Sequence, residues 1–142
     1  MSWKGRRVLV TGAGGFIGSH LTEALATSGA DVRAFIHYNA LGSRGLLEPS
    51  ASVEVVQGDI RDPSSLRPAM TDVEIVYHLA ALIAIPYSYI APRSYIQTNV
   101  EGTLNVLEAC REFRISRLVG TSTSEVYGSA QSASIDESHP LQ

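Results

Sequence analysis

The chain has a single cysteine, Cys110, and a single lysine, Lys4. One thiol permits no disulfide framework and no multi-cysteine metal site. It fits a reducing compartment, so a cytoplasmic protein is expected. Four histidines, at 20, 37, 78 and 139, lack the short spacings of metal-binding pairs, and no metal is expected. Positive charge is not in excess: 11 basic residues stand against 14 acidic ones, for a net charge of −3. No basic footprint is therefore offered to nucleic acid or to an anionic membrane. Long apolar runs are missing too. The start, MSWKGRRVLV, is basic and then apolar, but stops at Thr11-Gly12, too early for a signal peptide. Leu79–Ile85 is broken by Pro86 and is too short to span a bilayer.

What is present suits one globular domain: 142 residues, 44% hydrophobic and 18% charged, with no repeat or low-complexity linker. Short β-branched runs predict strands at Arg7–Thr11, Val32–Ile36, Val53–Val56, Glu74–His78 and Ser116–Val119. Between them, Phe16, Ile17, Leu21, Ala24 and Leu25 fall at helical spacing up to Gly29. Asp62-Pro63 opens a short helix to about Met70. Ile96, Val100, Leu104 and Leu107 recur at steps of four, four and three, giving a long helix over about 93–113. Residues 39–51 read as a loop. Alternating strands and helices imply an α/β fold, a doubly wound and mostly parallel sheet of Rossmann type, with ligands held beyond the carboxyl ends of the strands.

One of those ends carries Thr11-Gly-Ala-Gly-Gly-Phe-Ile-Gly18, with Gly12, Gly15 and Gly18 three apart between a strand and a helix. Without Cβ atoms such a turn lets backbone approach a pyrophosphate, and the helix N-terminus offers it free N–H groups. The same residues also suit a plain tight turn. The acid that usually follows about 20 residues on, for the adenosine ribose, is missing: Ile36, His37 and Tyr38 stand there. Arg33 or Arg44 suits a 2′-phosphate instead, so NADP stays open beside NAD, the slightly favoured dinucleotide. Asp59 suits an adenine amino group, with Ile60 packed on the ring; the competing role is a helix cap. His78-Leu79-Ala80-Ala81 ends a strand with small residues that let backbone approach a ribose. Asn99, on the long helix, either braces the sheet edge or is simply exposed. Thr121-Ser-Thr123-Ser124-Glu125 brings hydroxyls and a carboxylate past the fifth strand, where Glu125 suits acid or base work; alone, it is a polar loop.

Taken together, TGAGGFIGSHL (11–21), GDIRD (58–62), HLAA (78–81), TNVEGTLNVL (98–107) and STSEVYG (122–128) resemble the extended short-chain dehydrogenase/reductase family of NAD(P)-dependent sugar-nucleotide epimerases and dehydratases. AALIAIPYSY (80–89) with TSTSEVYG is most similar to nucleotide-sugar 4,6-dehydratases of nonulosonate pathways. The resemblance implies a dinucleotide on Gly12, Gly15, Phe16, Ile17, Gly18, His37, Arg44, Asp59, Ile60, Leu79, Ala80, Ala81, Asn99 and Thr121. It implies that Thr123 holds the sugar 4-hydroxyl, with Ser124 beside it, and that Glu125 assists loss of water across C5 and C6 after hydride leaves C4. A 4-epimerase, a decarboxylase or an inert dinucleotide-binding module are the alternatives. The family's catalytic Tyr-x-x-x-Lys is not here: four residues after Tyr38, Tyr77, Tyr87, Tyr89, Tyr95 and Tyr127 stand Gly42, Ala81, Ala91, Arg93, Asn99 and Gln131. Residues 1–142 are therefore expected to be one dinucleotide-binding domain, incomplete at its C-terminal end and inactive alone. The nucleotide-sugar part is expected to lie further on. The family also implies a homodimer built on the 93–113 helix, leaving an apolar face of that helix uncovered in the isolated chain.

Overall fold

The computed structural model describes residues 2–141. Five strands, β1 (Arg7–Thr11), β2 (Asp31–His37), β3 (Val53–Gly58), β4 (Ile75–His78) and β5 (Arg117–Gly120), form one sheet in the order β3-β2-β1-β4-β5. Every neighbouring pair is parallel. The β-branched run of β1 takes the centre because both of its faces are apolar. Val8 and Val10 pack with Leu25 of helix α1 (Phe16–Thr27), while Leu9 packs with Leu66 and Met70 of α2 (Pro63–Met70) on the other face. Helices thus cover the sheet on both faces, as the alternating pattern predicts. The strand order reverses at the β1/β4 pair, where Thr11 lies beside His78. That is the switch point where an open parallel sheet forms its ligand crevice.

Local signals set the element ends. Asp62 caps α2, its carboxylate accepting from the Ser64 N–H at 2.9 Å, with Pro63 at the first position. The helix expected over 93–113 is less regular than its spacing implies. It runs as α4 (Pro92–Tyr95), a π-helical stretch (Ile96–Glu101) and α5 (Gly102–Glu112). A further short helix, α3 (Ile85–Ile90), follows the apolar run whose Pro86 signalled only an interruption. The stripe that betrays the long helix does not face the core: Ile96, Val100, Leu104 and Leu107 are 46–58% exposed. Gly102, Val106 and Ala109 face inward instead. A Cβ on Gly102 would lie 2.7 Å from the Ile60 side chain, so α5 rides close over the β3 exit. No helix among the described residues is long and apolar enough to cross a membrane.

Candidate functional site

The glycine-rich turn joins β1 to α1 at the switch point. Gly12 has φ +70, a left-handed conformation costly for any residue with a Cβ. A Cβ there would also lie 2.8 Å from the Ala80 backbone nitrogen, so the turn and the β4 exit touch backbone to backbone. A Cβ on Gly18 would run into the Gly12 carbonyl, which explains how closely α1 lies on the turn. Gly15 caps α1 without a side chain, and the helix has no acidic residue in its first turn. Its leading N–H groups and positive dipole end are therefore left for an outside anion. Phe16 and Ile17, at 69% and 62% exposure, flank that opening rather than the core. The 39–51 loop folds onto the turn, with the Leu46 N–H donating to the Gly14 carbonyl at 2.9 Å and the Arg44 backbone facing Gly14.

Polar side chains brace the β4 exit. The buried Thr11 hydroxyl lies 2.7 Å from His78 Nδ1, and its oxygen accepts the N–H groups of Leu79 and Ala80 at 3.2 Å each. His78 Nε2 lies 3.0 Å from the Thr103 hydroxyl of α5, and burial holds the imidazole pKa below its ordinary value. Asn99 is a brace and not an exposed residue. Its amide accepts from the Leu82 N–H and donates to the Leu82 carbonyl, both at 2.8 Å, copying a strand pair. Ala81, between these two fastenings, is exposed. Asn105 donates to the Ile60 carbonyl at 3.0 Å and ties α5 to the β3 exit.

At the ends of β2 and β3, His37 Nε2 stands 3.5 Å from an Asp59 carboxylate oxygen. Both Asp59 oxygens accept from the Arg61 guanidinium, Nε at 3.0 and 2.9 Å. Bonding to that side chain holds the Asp59 pKa below the usual carboxylate value against the opposing effect of burial. The capping role belongs to Asp62 alone, since Asp59 makes no such bond. An adenine amino group would thus meet a carboxylate already paired to Arg61. Arg33 is not available to a 2′-phosphate. Its guanidinium donates to Glu54 at 2.7 Å and to the carbonyls of Ala69 and Thr71 at 2.9 Å, closing the end of α2. Of the two arginines, Arg44 alone stays a candidate there. Beyond β5, the Thr121 N–H donates to the His78 carbonyl at 3.1 Å, which brings the segment to the same sheet edge. Thr123 accepts from the Glu125 N–H at 3.2 Å and caps a 3-10 turn, Ser124–Tyr127. Thr123, Ser124 and Glu125 are all exposed.

The structure therefore gathers the expected groups on one edge, although Thr123 and Glu125 make no direct bond to the glycine-rich turn among the contacts described. Sequence reasoning missed Arg61, Thr103 and Asn105. Arg61 follows Asp59 by two residues, a readable local pair, whereas nothing local marks the other two.

The family model of GDP-mannose 4,6-dehydratase matches residues 9–142. A UDP-glucose 4-epimerase of Azospirillum brasilense is 38% identical over 94% of this chain and 38% of its own length. An epimerase structure from Methanothermobacter thermautotrophicus superposes with a TM-score of 0.84 at 32% identity, covering 96% of this chain and 41% of that one. The Thermus thermophilus UDP-glucose 4-epimerase, solved in complex with NAD, gives 0.81 at 34% identity over 96% of this chain and 44% of that one. The chain spans about two-fifths of the length of these relatives. With the strand order, the glycine-rich turn and these likenesses in agreement, the chain belongs to the extended short-chain dehydrogenase/reductase family of nucleotide-sugar epimerases and dehydratases.

Proposed function

We propose that the chain binds NAD and forms the cofactor half of a cytoplasmic nucleotide-sugar 4,6-dehydratase, a lyase. The carrying observation is the exposed Glu125 carboxylate beside Thr123, on the sheet edge where the uncapped N-terminus of α1 opens. In this reading the first N–H groups of α1 hold the pyrophosphate, the Gly12 turn admits it, and the Leu79–Ala81 backbone lies along a ribose. Ile60 packs on the adenine, with His37 and Arg44 near the adenosine ribose. NAD held by these residues would supply a hydride acceptor and donor for the sugar carbons. The Thr123 hydroxyl holds the 4-hydroxyl of the sugar, and Glu125 assists the loss of water once C4 is a ketone and the C5 proton has become acidic. The base for the 4-hydroxyl belongs to a Tyr-x-x-x-Lys that these 142 residues do not contain, so turnover is expected only where the chain continues into one. A second copy packs on the Ile96–Leu107 stripe in the same reading.

A 4-epimerase is the second reading, favoured by the likeness to UDP-glucose 4-epimerases. The test is to bind NAD to the chain, then give the protein carrying a Tyr-x-x-x-Lys a panel of UDP- and GDP-hexoses. A 4-keto-6-deoxy product supports the dehydratase, and a 4-epimer of the substrate replaces it with the epimerase. Glu125→Gln should slow dehydration by about a hundredfold, in the range of general acid–base contributions, with NAD affinity unchanged. No NAD binding at all would overturn both readings.

A further inference from the structure

The bonds around His78 fix where its proton sits. A threonine hydroxyl has one hydrogen and two lone pairs. At Thr11 the oxygen accepts the Ala80 N–H and shares the Leu79 N–H with the Thr11 carbonyl, each at 3.2 Å, and among the described contacts the only acceptor for its own hydrogen is the His78 ring. The hydroxyl hydrogen is left with His78 Nδ1, 2.7 Å away, and Nδ1 must accept it. The imidazole proton then stands on Nε2 and is donated to the Thr103 hydroxyl at 3.0 Å. We propose that His78, held as the neutral Nε2–H tautomer between Thr11 and Thr103, is a positioning residue for the dinucleotide. It orients the Thr11 hydroxyl so that the Leu79 and Ala80 N–H groups stay clamped where the β4 exit meets Gly12. This rests on the dinucleotide-binding reading above.

Protonating Nδ1 breaks the arrangement. A hydrogen on Nδ1 competes with the backbone N–H groups for the Thr11 oxygen, and the Thr11 hydrogen loses its acceptor. Among the described residues, no charged side chain bonds to the His78 ring to offset this. Arg7 on β1, Arg117 on β5, and Glu101, Glu108, Arg111 and Glu112 on α5 make no bond or ion pair with His78. Burial alone acts on the imidazole, and it lowers the pKa. The neutral clamp is thus fully present above the ordinary histidine value of about 6.5 and is lost as pH falls through the lowered folded-state value.

The test combines two measurements. With nitrogen-15-labelled histidine, His78 is assigned by the resonance missing in His78→Asn, and the ligand-free protein should show the Nε2–H tautomer. NAD affinity is then followed by calorimetry from about pH 7.5 downward, past the ordinary histidine value of about 6.5, to the lowest pH at which circular dichroism shows the protein folded. Affinity should fall about tenfold, the worth of a lost clamp bond. In His78→Asn, whose side-chain oxygen still accepts from Thr11 but takes up no proton, it should change less than about threefold. Thr11→Val should weaken binding about tenfold at neutral pH, and Thr11→Ser should restore it. An Nδ1–H tautomer overturns the proposal, as does an undiminished pH slope in His78→Asn. If that variant does not fold, the wild-type tautomer and the Thr11 pair decide. Failure of NAD to bind at every pH overturns the dinucleotide reading instead, and the ligand-free spectra still decide the tautomer.

Discussion

Two regions share the carboxyl edge of the sheet and are built in opposite ways. At the β1 and β4 ends, bonds join residues far apart in sequence: Thr11 to His78 and Ala80, His78 to Thr103, Asn99 to Leu82. These groups are buried or half-buried. Past Thr121, whose N–H still reaches the His78 carbonyl, the bonds are short-range: Thr123 with Glu125 and Asp136 with Ser138, each two residues apart and exposed, and Gln131 with His139, eight apart. β5 itself pairs only with β4 and is mostly exposed, whereas β1 is buried on both faces. The lesson is a division of labour. The part proposed to face the pyrophosphate is fixed by the core of the sheet. The part carrying the hydroxyls and carboxylate is held by short-range bonds that the core does not dictate.

A pair of glycines breaks that comparison most sharply, since each sits where a strand ends. Gly12→Ala should cost about 3 kcal/mol, combining the left-handed backbone with overpacking against the β4 exit. Gly120→Ala, at the end of β5, meets nothing within 4 Å. It should be neutral or stabilise by up to about 1 kcal/mol through the unfolded chain. Urea midpoints of the two variants check this. Equal losses would show the β5 exit to be packed as tightly as the switch point.

Asn99→Ala should have the next largest effect. It leaves the Leu82 N–H and carbonyl without partners in a half-buried place, at about 2 kcal/mol. Because Leu82 follows Ala81, protection of the 79–82 amides against hydrogen exchange should drop further than global stability does. If exchange there follows the global change alone, the braced region unfolds as one body with the sheet and Asn99 is no local fastening.

Strands and most helices were legible because apolar periodicity is a local property, and the burial of β1 follows from its unbroken apolar run. The stripe Ile96–Leu107 marked the helix, and its exposure matches the uncovered apolar face that the resemblance implies. A helix repeats every 3.6 residues whatever covers it, and the periodicity does not say which apolar face meets this sheet. The inward face uses small or slim residues, Gly102, Val106 and Ala109, because α5 runs so close to Ile60. The glycine-rich turn was readable as a motif. The Thr11–His78–Thr103 bonds were not, since their partners meet only after three strands and a helix have been placed. Arg33 was misread for the same reason: its partners are the carbonyls at the end of α2, 36 and 38 residues away in sequence.

The smallest effect expected is at Thr123, and it tests the other half of the comparison. Thr123→Val removes the acceptor for the Glu125 N–H. A cap lost from a packed helix costs about 1 kcal/mol, but here the turn has four residues and lies in water. Solvent replaces the lost bond, so stability should change by less than about 0.5 kcal/mol, as for other exposed positions. A loss above about 1 kcal/mol in urea would show the segment to be fastened as firmly as the β4 exit. A near-zero result has a chemical meaning. A hydroxyl committed to holding the fold, like that of Thr11, is buried with its hydrogen and its oxygen already bonded to the protein. The Thr123 hydroxyl holds one weak local bond and keeps its hydrogen and a lone pair free. Low structural cost is thus a condition of its being able to serve a sugar hydroxyl at all.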